Sequence, residues 1–225
     1  MATKKRKTPN KKRRTVKKYV SKKRQPTDWL VVVLVALFTI GVGLVLLVQY
    51  HGEQMQARLA KEAKQEQLSK AAQKQQFIKK MVPYAQKLQT DYHVLPSITL
   101  AQAILESDWG KSTLAADYHN YFGIKGDDPA NTKAMTTKEY LNGQWITTTA
   151  RFRVYDDYQA SMLDHVLLFA KGTTWNPNQY QHVIAATDYQ QAAAALKQDG
   201  YATDPDYPAK LIEIVKTYQL NQYDQ

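Results

Sequence analysis

The chain has 225 residues, enough for one domain of ordinary size with appendages, and no cysteine, which excludes a disulfide framework and thiol chemistry. The net charge of +11 is concentrated at one end: residues 1–24 hold 13 Lys and Arg and no acid, leaving 18 basic and 20 acidic residues elsewhere. The basic balance therefore describes a tail rather than a basic fold, and the five histidines lack metal-ligand spacing, so neither a metal nor a cofactor is expected.

Residues 1–28 read as a basic, low-complexity tail. Alone it would suggest nucleic-acid binding, but its position argues otherwise. Trp29–Val48 is 20 residues without a charge, about 30 Å as a helix, the thickness of the hydrocarbon core of a bilayer. A positive flank before such a span stays in the cytoplasm, so the expected topology is N-terminus inside and C-terminus outside, with Trp29 and Tyr50 at the two interfaces. The basic tail would then rest on anionic inner-leaflet lipids, with no nucleic acid as partner. A cleaved signal peptide is the alternative, with cleavage near Gln56–Ala57. The apolar run exceeds a usual signal core and no A-x-A pattern follows it, which favours an uncleaved anchor.

Residues 49–76 are rich in Gln, Lys, Ala and Glu and read as a polar helical stalk. A coiled coil is the alternative, but Met55, Leu59 and Leu68 do not keep a heptad. A globular domain over residues 77–225 then begins with the helical stripe Phe77, Ile78, Met81, Val82, Ala85 and Leu88, ending near Tyr92.

The next stretch, LPSITLAQAILESDWGKS, is a short, nearly all-apolar helix. Ser97 is its expected N-cap and Gly110 its expected stop. Thr99, Gln102 and Glu106 form one narrow polar stripe. On pattern alone this is first the wet face of an amphipathic helix. A carboxyl flanked by apolar wall and Trp109 would also be partly desolvated, which raises its pKa and suits a general acid.

A short helix over Thr113 to Tyr118 precedes the loop HNYFGIKG, and DDPAN is a further turn. MTTKEYL and QWITTTARF flank Asn142–Gly143, a type I′ hairpin signal. A two-residue turn pairs Leu141 with Gln144, Tyr140 with Trp145 and Glu139 with Ile146, putting Glu139 on the face opposite Tyr140 and Trp145. Asp156 and Asp157 can cap a helix carrying Met162, Leu163, Val166, Leu167 and Phe169. Trp175-Asn-Pro is a loop, Tyr180 to Ala186 a short helix, and Asp188 caps Tyr189 to Gln198. The loop GYATDPDY leads into a last helix from Tyr207 to Leu220. About seven helices and one hairpin make the fold mainly α, of the α+β class.

The blocks SITLAQAILESDWGKSTLA, HNYFGIKG, KEYLNGQWITTTARFRVYDDYQAS and GYATDPDY resemble, in order, those of the glucosaminidase family, the bacterial endo-β-N-acetylglucosaminidases of glycoside hydrolase family 73. The resemblance covers Phe77 onward, roughly two thirds of the chain. It implies a lysozyme-like helical domain with a small β-hairpin lobe and a cleft between them. It also implies an autolysin-like glycoside hydrolase that cuts the β-1,4 bond after N-acetylglucosamine in peptidoglycan glycan strands. Glu106 falls on the family's catalytic acid, and Glu139 on the position proposed as a second carboxylate. Asn120, Phe122 and Gly123 fall on the block that shapes the cleft floor, and Tyr201 on a Tyr near the cleaved bond. Trp109 and Trp145 are candidate sugar platforms or packing residues. Asp108 departs from the family's usual Gly, and its charge is expected to raise the pKa of Glu106 further. A muramidase or lytic transglycosylase on the same fold, and a non-catalytic wall-binding protein, are the competing readings. The expected location is the cell membrane, crossed once, with the catalytic domain outside at the wall.

Overall fold

A computed structural model describes residues 26–141 and 144–225, with residues 26–28, 138–141 and 145 described by their backbone alone. The expected basic tail up to residue 25 and the Asn142–Gly143 turn lie outside the described residues. The chain divides into two units, one ending at Lys64 and one spanning Gln65–Gln225.

Helix α1 runs over Pro26–Tyr92. Proline suits a first helical turn, because the missing N–H would have no partner there. Within the first unit, Leu, Val and Ala carry the helix through Trp29–Val48, where the described side chains are exposed. This one helix is long and apolar enough to cross a membrane, by length and composition. Further along, the exposed pairs Arg58–Glu62 (2.9 Å) and Lys70–Glu66 (2.6 Å) join consecutive turns.

In the second unit α1 supplies Ile78, Met81, Ala85 and Leu88 to the core. Recruitment begins earlier than the expected boundary at Phe77. Lys74 donates to the Tyr218 hydroxyl at 2.9 Å and lies 4.9 Å from the Trp109 ring centroid. Pro83 is tolerated inside the helix although it removes the hydrogen bond to the carbonyl of Lys79.

Helix α2, Pro96–Ser107, is the centre of this unit. Ile98, Leu100, Ala101, Ala103 and Ile104 are buried, and so are Thr99 and Gln102, which the alternation of polar and apolar residues places on a wet stripe. They are covered because later helices pack on that side too, so the only exposed member of the stripe is Glu106. Two further expectations are corrected here. The N-cap position is Leu95 rather than Ser97, and Ser97 instead gives its N–H and hydroxyl to Asp224, at 2.8 and 2.7 Å. The helix also stops before Gly110: Asp108 is the C-cap, and Asp108, Trp109 and Gly110 are all left-handed, with φ of 48°, 61° and 74°. Gly110 is needed for space as well, since a Cβ there would lie 3.1 Å from both Phe77 and Tyr121.

Helix α3, Thr113–Tyr118, is capped by Ser112. Strands β1, Thr132–Leu141, and β2, Gln144–Arg153, pair antiparallel in the register that the two-residue turn predicts, with Glu139 opposite Ile146 and Tyr140 opposite Trp145. Helix α4, Tyr158–Lys171, starts at Asp157, whose side chain accepts from Ala160 N–H at 2.8 Å. Helices α5, Gln181–Ala185, and α6, Tyr189–Gln198, follow. Asp188 caps α6, its carboxylate accepting from both the backbone N–H and the side-chain amide of Gln191. Helix α7, Tyr207–Tyr218, ends in a 3-10 turn over Leu220–Tyr223. The core gathers Met162, Val166 and Phe169 of α4, Leu196 of α6, and Leu211 and Val215 of α7 around α2. Truncating a side chain such as Leu100 would remove about 2–5 kcal/mol of stability. The second unit is mainly helical with one small antiparallel hairpin, the lysozyme-like α+β arrangement expected from the sequence.

Candidate active site

Glu106 stands in the last turn of α2, at the wall of an open cleft of about 1100 Å³. The loop 122–125, the end of β2, the inner face of α4, the loop after it with Gly172 and Trp175, Tyr180, the loop 201–204 and the start of α7 share the lining. The carboxylate reaches solvent through the cleft, yet protein surrounds it on its other sides. Desolvation is the largest influence on it and holds its pKa above the ordinary 4.5. Two weaker influences oppose this: the Tyr207 hydroxyl, which donates to Oε1 at 2.7 Å, and the positive charge of Lys210. The expected influence of Asp108 is not found; it is exposed at the C-cap, and the charge that acts on Glu106 is that of Lys210.

Tyr207 is itself oriented. Gln102 donates from Nε2 to the Tyr207 oxygen at 3.1 Å, so the phenolic proton is free to point at Glu106. Gln102 lies one turn before Glu106 on the same helix, and both side chains meet the first residue of α7. Burial raises the Tyr207 hydroxyl well above its ordinary value, with neighbouring Tyr201 and the charge of Glu106 adding to it, so it stays a neutral donor. Tyr201 is held in the same way, by burial first and then by the charge of Glu106. Its ring lies 5.9 Å from Tyr207 and 5.4 Å from Phe169.

The floor of the cleft depends on Asn120. Its amide donates to the carbonyls of Ile124 and Arg153, each at 2.9 Å, and accepts from the N–H groups of Phe122 and Ile124. Fully buried and fully bonded, Asn120 offers no polar atom to a ligand; it shapes the loop and fastens it to β2. Phe122, so placed, lines the cleft and stacks on His165 with centroids 4.0 Å apart. Burial pushes His165 down to about 3, so it is a neutral aromatic support. Arg153 and Tyr155 both donate to Asp164 Oδ2, at 2.6 and 2.5 Å, and brace the wall.

Of the residues singled out from the sequence, Glu106, Phe122, Gly123 and Tyr201 share the cleft. Trp109 does not line it: its ring packs against Tyr218 at 4.7 Å and Phe77 at 5.8 Å. The backbone of Glu139 and Trp145 lies in the hairpin, and their side chains lie outside the described residues. Sequence reasoning missed Tyr207 and Gln102. The signal for Tyr207 was present as the second Tyr of GYATDPDY; Gln102 was visible only as a polar residue one turn from the acid.

Known proteins resemble the chain over this same unit. The model of the glucosaminidase family, described as mannosyl-glycoprotein endo-beta-N-acetylglucosaminidase, matches residues 82–220. The exo-glucosaminidase LytG of Bacillus subtilis (strain 168) is 49% identical over 153 residues, covering 68% of this chain and 54% of that protein. A probable N-acetylmuramidase of Lactococcus lactis subsp. lactis (strain IL1403) is 38% identical over 151 residues, covering 66% of this chain and 34% of that protein. The chain thus spans about half of the first relative's length and about a third of the second's. Among solved structures, the catalytic domain of the autolysin Auto from Listeria monocytogenes is 36% identical with a TM-score of 0.61, covering 68% of this chain and 88% of that one. A family model that fits most of the chain and a catalytic domain matched over nearly its whole length lead to one conclusion: the chain belongs to the glucosaminidase family.

Proposed function

We propose that this protein is a membrane-anchored peptidoglycan hydrolase that cleaves the β-1,4 bond after N-acetylglucosamine in glycan strands. The observation that carries this reading is the Glu106 carboxyl, raised by desolvation and bonded by Tyr207 at the wall of an open cleft. Family membership supports it, as do relatives whose names are those of wall hydrolases.

Glycoside cleavage needs a proton on the leaving oxygen and stabilisation of an oxocarbenium-like centre. A carboxyl with a raised pKa keeps its proton closer to neutrality and is the general acid. As the proton leaves, charge develops on Glu106, and the Tyr207 hydroxyl, pre-oriented by Gln102, stabilises that charge in place. Tyr201 lies beside the reacting centre, and Phe122 gives an apolar floor for a sugar ring. Glu139 is the second carboxylate, activating a water across the ring with inversion at a separation of about 6.5–9.5 Å; attack by the substrate's own N-acetyl group is the alternative route. The two differ in outcome: Glu139→Gln abolishes turnover by the first and leaves most of it by the second.

The anchor reading rests on the apolar span 29–48 and its basic flank. The catalytic unit would lie outside, at its substrate, and the tail on the anionic inner leaflet. Membrane and medium fractions of expressing cells test this: full-length protein in the membrane supports it, and a shortened, wholly secreted product refutes it.

The activity test is digestion of purified walls by the full chain in detergent, with reducing-end analysis of the fragments. Reducing N-acetylglucosamine is the expected end, lost in Glu106→Gln. The muramidase reading is kept because of the Lactococcus lactis relative's name; reducing muramic ends would establish it in place of the first, and anhydro-muramic ends would point to transglycosylation.

A further inference from the structure

Trp175 has no part in the chemistry above, yet it lines the same cleft as Glu106. At 79% exposure it is the most exposed large apolar side chain described in residues 65–225. The loop that carries it is tied. Gly172, at φ +66°, lets the chain fold back so closely that a Cβ would lie 2.4 Å from the carbonyl oxygens of Asn176 and Pro177. Thr173 and Asn176 exchange backbone hydrogen bonds at 3.0 and 3.2 Å. The Thr173 hydroxyl donates to Gln179 at 2.8 Å, and Gln179 in turn donates to the carbonyl of Asp199. The tied loop fixes the backbone beneath the indole, so a ligand that covers this apolar plate has only the two side-chain torsions of Trp175 to order.

The charge beside it is equally specific. Arg153 and Lys210, two cations of the cleft, are paired with Asp164 at 2.6 Å and Asp204 at 2.5 Å. Lys171, in the last turn of α4 and also lining the cleft, is exposed and has no acidic partner among the described residues. An apolar plate and an uncompensated cation four residues apart suit a sugar with a flat C–H face and a carboxylate. In a wall glycan that is the muramic-type residue, which carries a lactyl carboxylate when free and an acidic peptide when substituted, and not the neutral N-acetylglucosamine. The cleft exceeds the roughly 300–1,000 Å³ usual for a single small ligand, so it has room for such a residue in addition to the sugar at Glu106.

We propose that Trp175 and Lys171 form a subsite for an acidic, muramic-type sugar of the strand, Trp175 stacking on the ring and Lys171 pairing with its carboxylate. This rests on the hydrolase reading above. The test uses the full chain in detergent on three substrates: peptide-bearing strands, strands stripped of peptide but retaining the lactyl carboxylate, and neutral N-acetylglucosamine oligomers. Trp175→Ala is expected to raise KM for strands about tenfold with a much smaller change in kcat, and Trp175→Phe to recover most of the loss. Lys171→Glu is expected to raise KM for acidic strands but not for neutral oligomers. A loss confined to peptide-bearing strands assigns the carboxylate to the peptide, a loss confined to stripped strands assigns it to the lactyl group, and a loss on both shows that Lys171 pairs with whichever carboxylate the residue carries. An unchanged KM in Trp175→Ala overturns the subsite, and an equal loss on neutral oligomers in Lys171→Glu overturns its acidic specificity. Binding is read separately, as quenching of tryptophan fluorescence by strands in Glu106→Gln, which Trp175→Ala should remove. Quenching without any wall cleavage by the wild type would refute the hydrolase reading and leave the subsite standing. Cleavage without Trp175-dependent quenching would do the reverse.

Discussion

Tyr207→Phe removes one hydroxyl from the site and leaves the ring in place. The lost bond is 2.7 Å long and its acceptor is a carboxylate, the type worth about 1.5–3 kcal/mol. Because the negative charge on Glu106 grows during proton donation, most of that loss falls on the transition state, and kcat should fall about 10–100-fold. The pH profile gives a second reading of the same bond. The Tyr207 bond favours the ionised carboxyl and so lowers the pKa of Glu106 against the larger desolvation effect. Without it the pKa rises further. A general acid acts only while protonated, so the alkaline limb of kcat moves to higher pH even as the plateau falls. Stability also drops, by about 1–3 kcal/mol, because the Gln102 amide loses its acceptor and its Oε1 is already buried without a partner among the described residues. Kinetics of wall lysis across pH, with thermal unfolding as control, measure all three. A limb that stays fixed or moves to lower pH would refute the role given to Tyr207.

Glu106→Gln should lower kcat by at least about 10²-fold, since general-acid catalysis contributes on that scale. It should also raise the melting temperature at neutral pH: with its folded pKa above the unfolded one, ionised Glu106 costs stability as pH climbs between the two values, so the gain should shrink under acid, as calorimetry at two pH values would show. Asn120→Ala abandons four backbone groups bound by one amide; chemical denaturation should report a loss of at least about 3 kcal/mol, and a loss within error of zero would contradict its role as the loop's fastener. Asp224→Ala removes the carboxylate that accepts from Ser97 at the start of α2 and should cost about 1 kcal/mol of stability, with the wall-lysis rate as its functional readout.

Much of the second unit was legible because its signals are local. Asp157 and Asp188 cap α4 and α6 within three residues of themselves, and the observed strand register is the one a two-residue turn signal in the sequence predicts. The misreadings concern groups whose partners are distant. Ser97 has the chemistry of an N-cap, but its hydroxyl is taken by a residue 127 positions away. Thr99 and Gln102 obey the polar stripe, yet the stripe is covered by helices that no periodicity within α2 reveals. Gly110 was the natural stop, but Asp108 adopts the left-handed conformation first, as its short polar side chain permits. At the site, Glu106 stood out as a single acid on an apolar helix. Tyr207 was hidden by a separation of 101 positions in the sequence and by reading as the start of a helix. Trp109 and Trp175 looked alike as aromatics near loops; only packing separates one wedged between Phe77 and Tyr218 from one standing in water.

The grip of Asp224 on Ser97 has a consequence for how the molecule is assembled. The helix bearing the acid is near the beginning of the globular unit, while the group that fixes its first turn lies 127 positions further along the chain. Two neighbouring ties act across the same interval, from Gln86 to the carbonyl of Tyr223 and from Gln89 to Gln225. Closing so large a loop is entropically unfavourable and comes late in folding, because the contacts that reward it are non-local. During vectorial synthesis α2 can coil on its own, but its start is not fixed until this segment has emerged. A chain stopped short of residue 224 would carry the acid on a helix whose first turn is unpinned, so maturation of the cleft waits on a distant segment of the same unit.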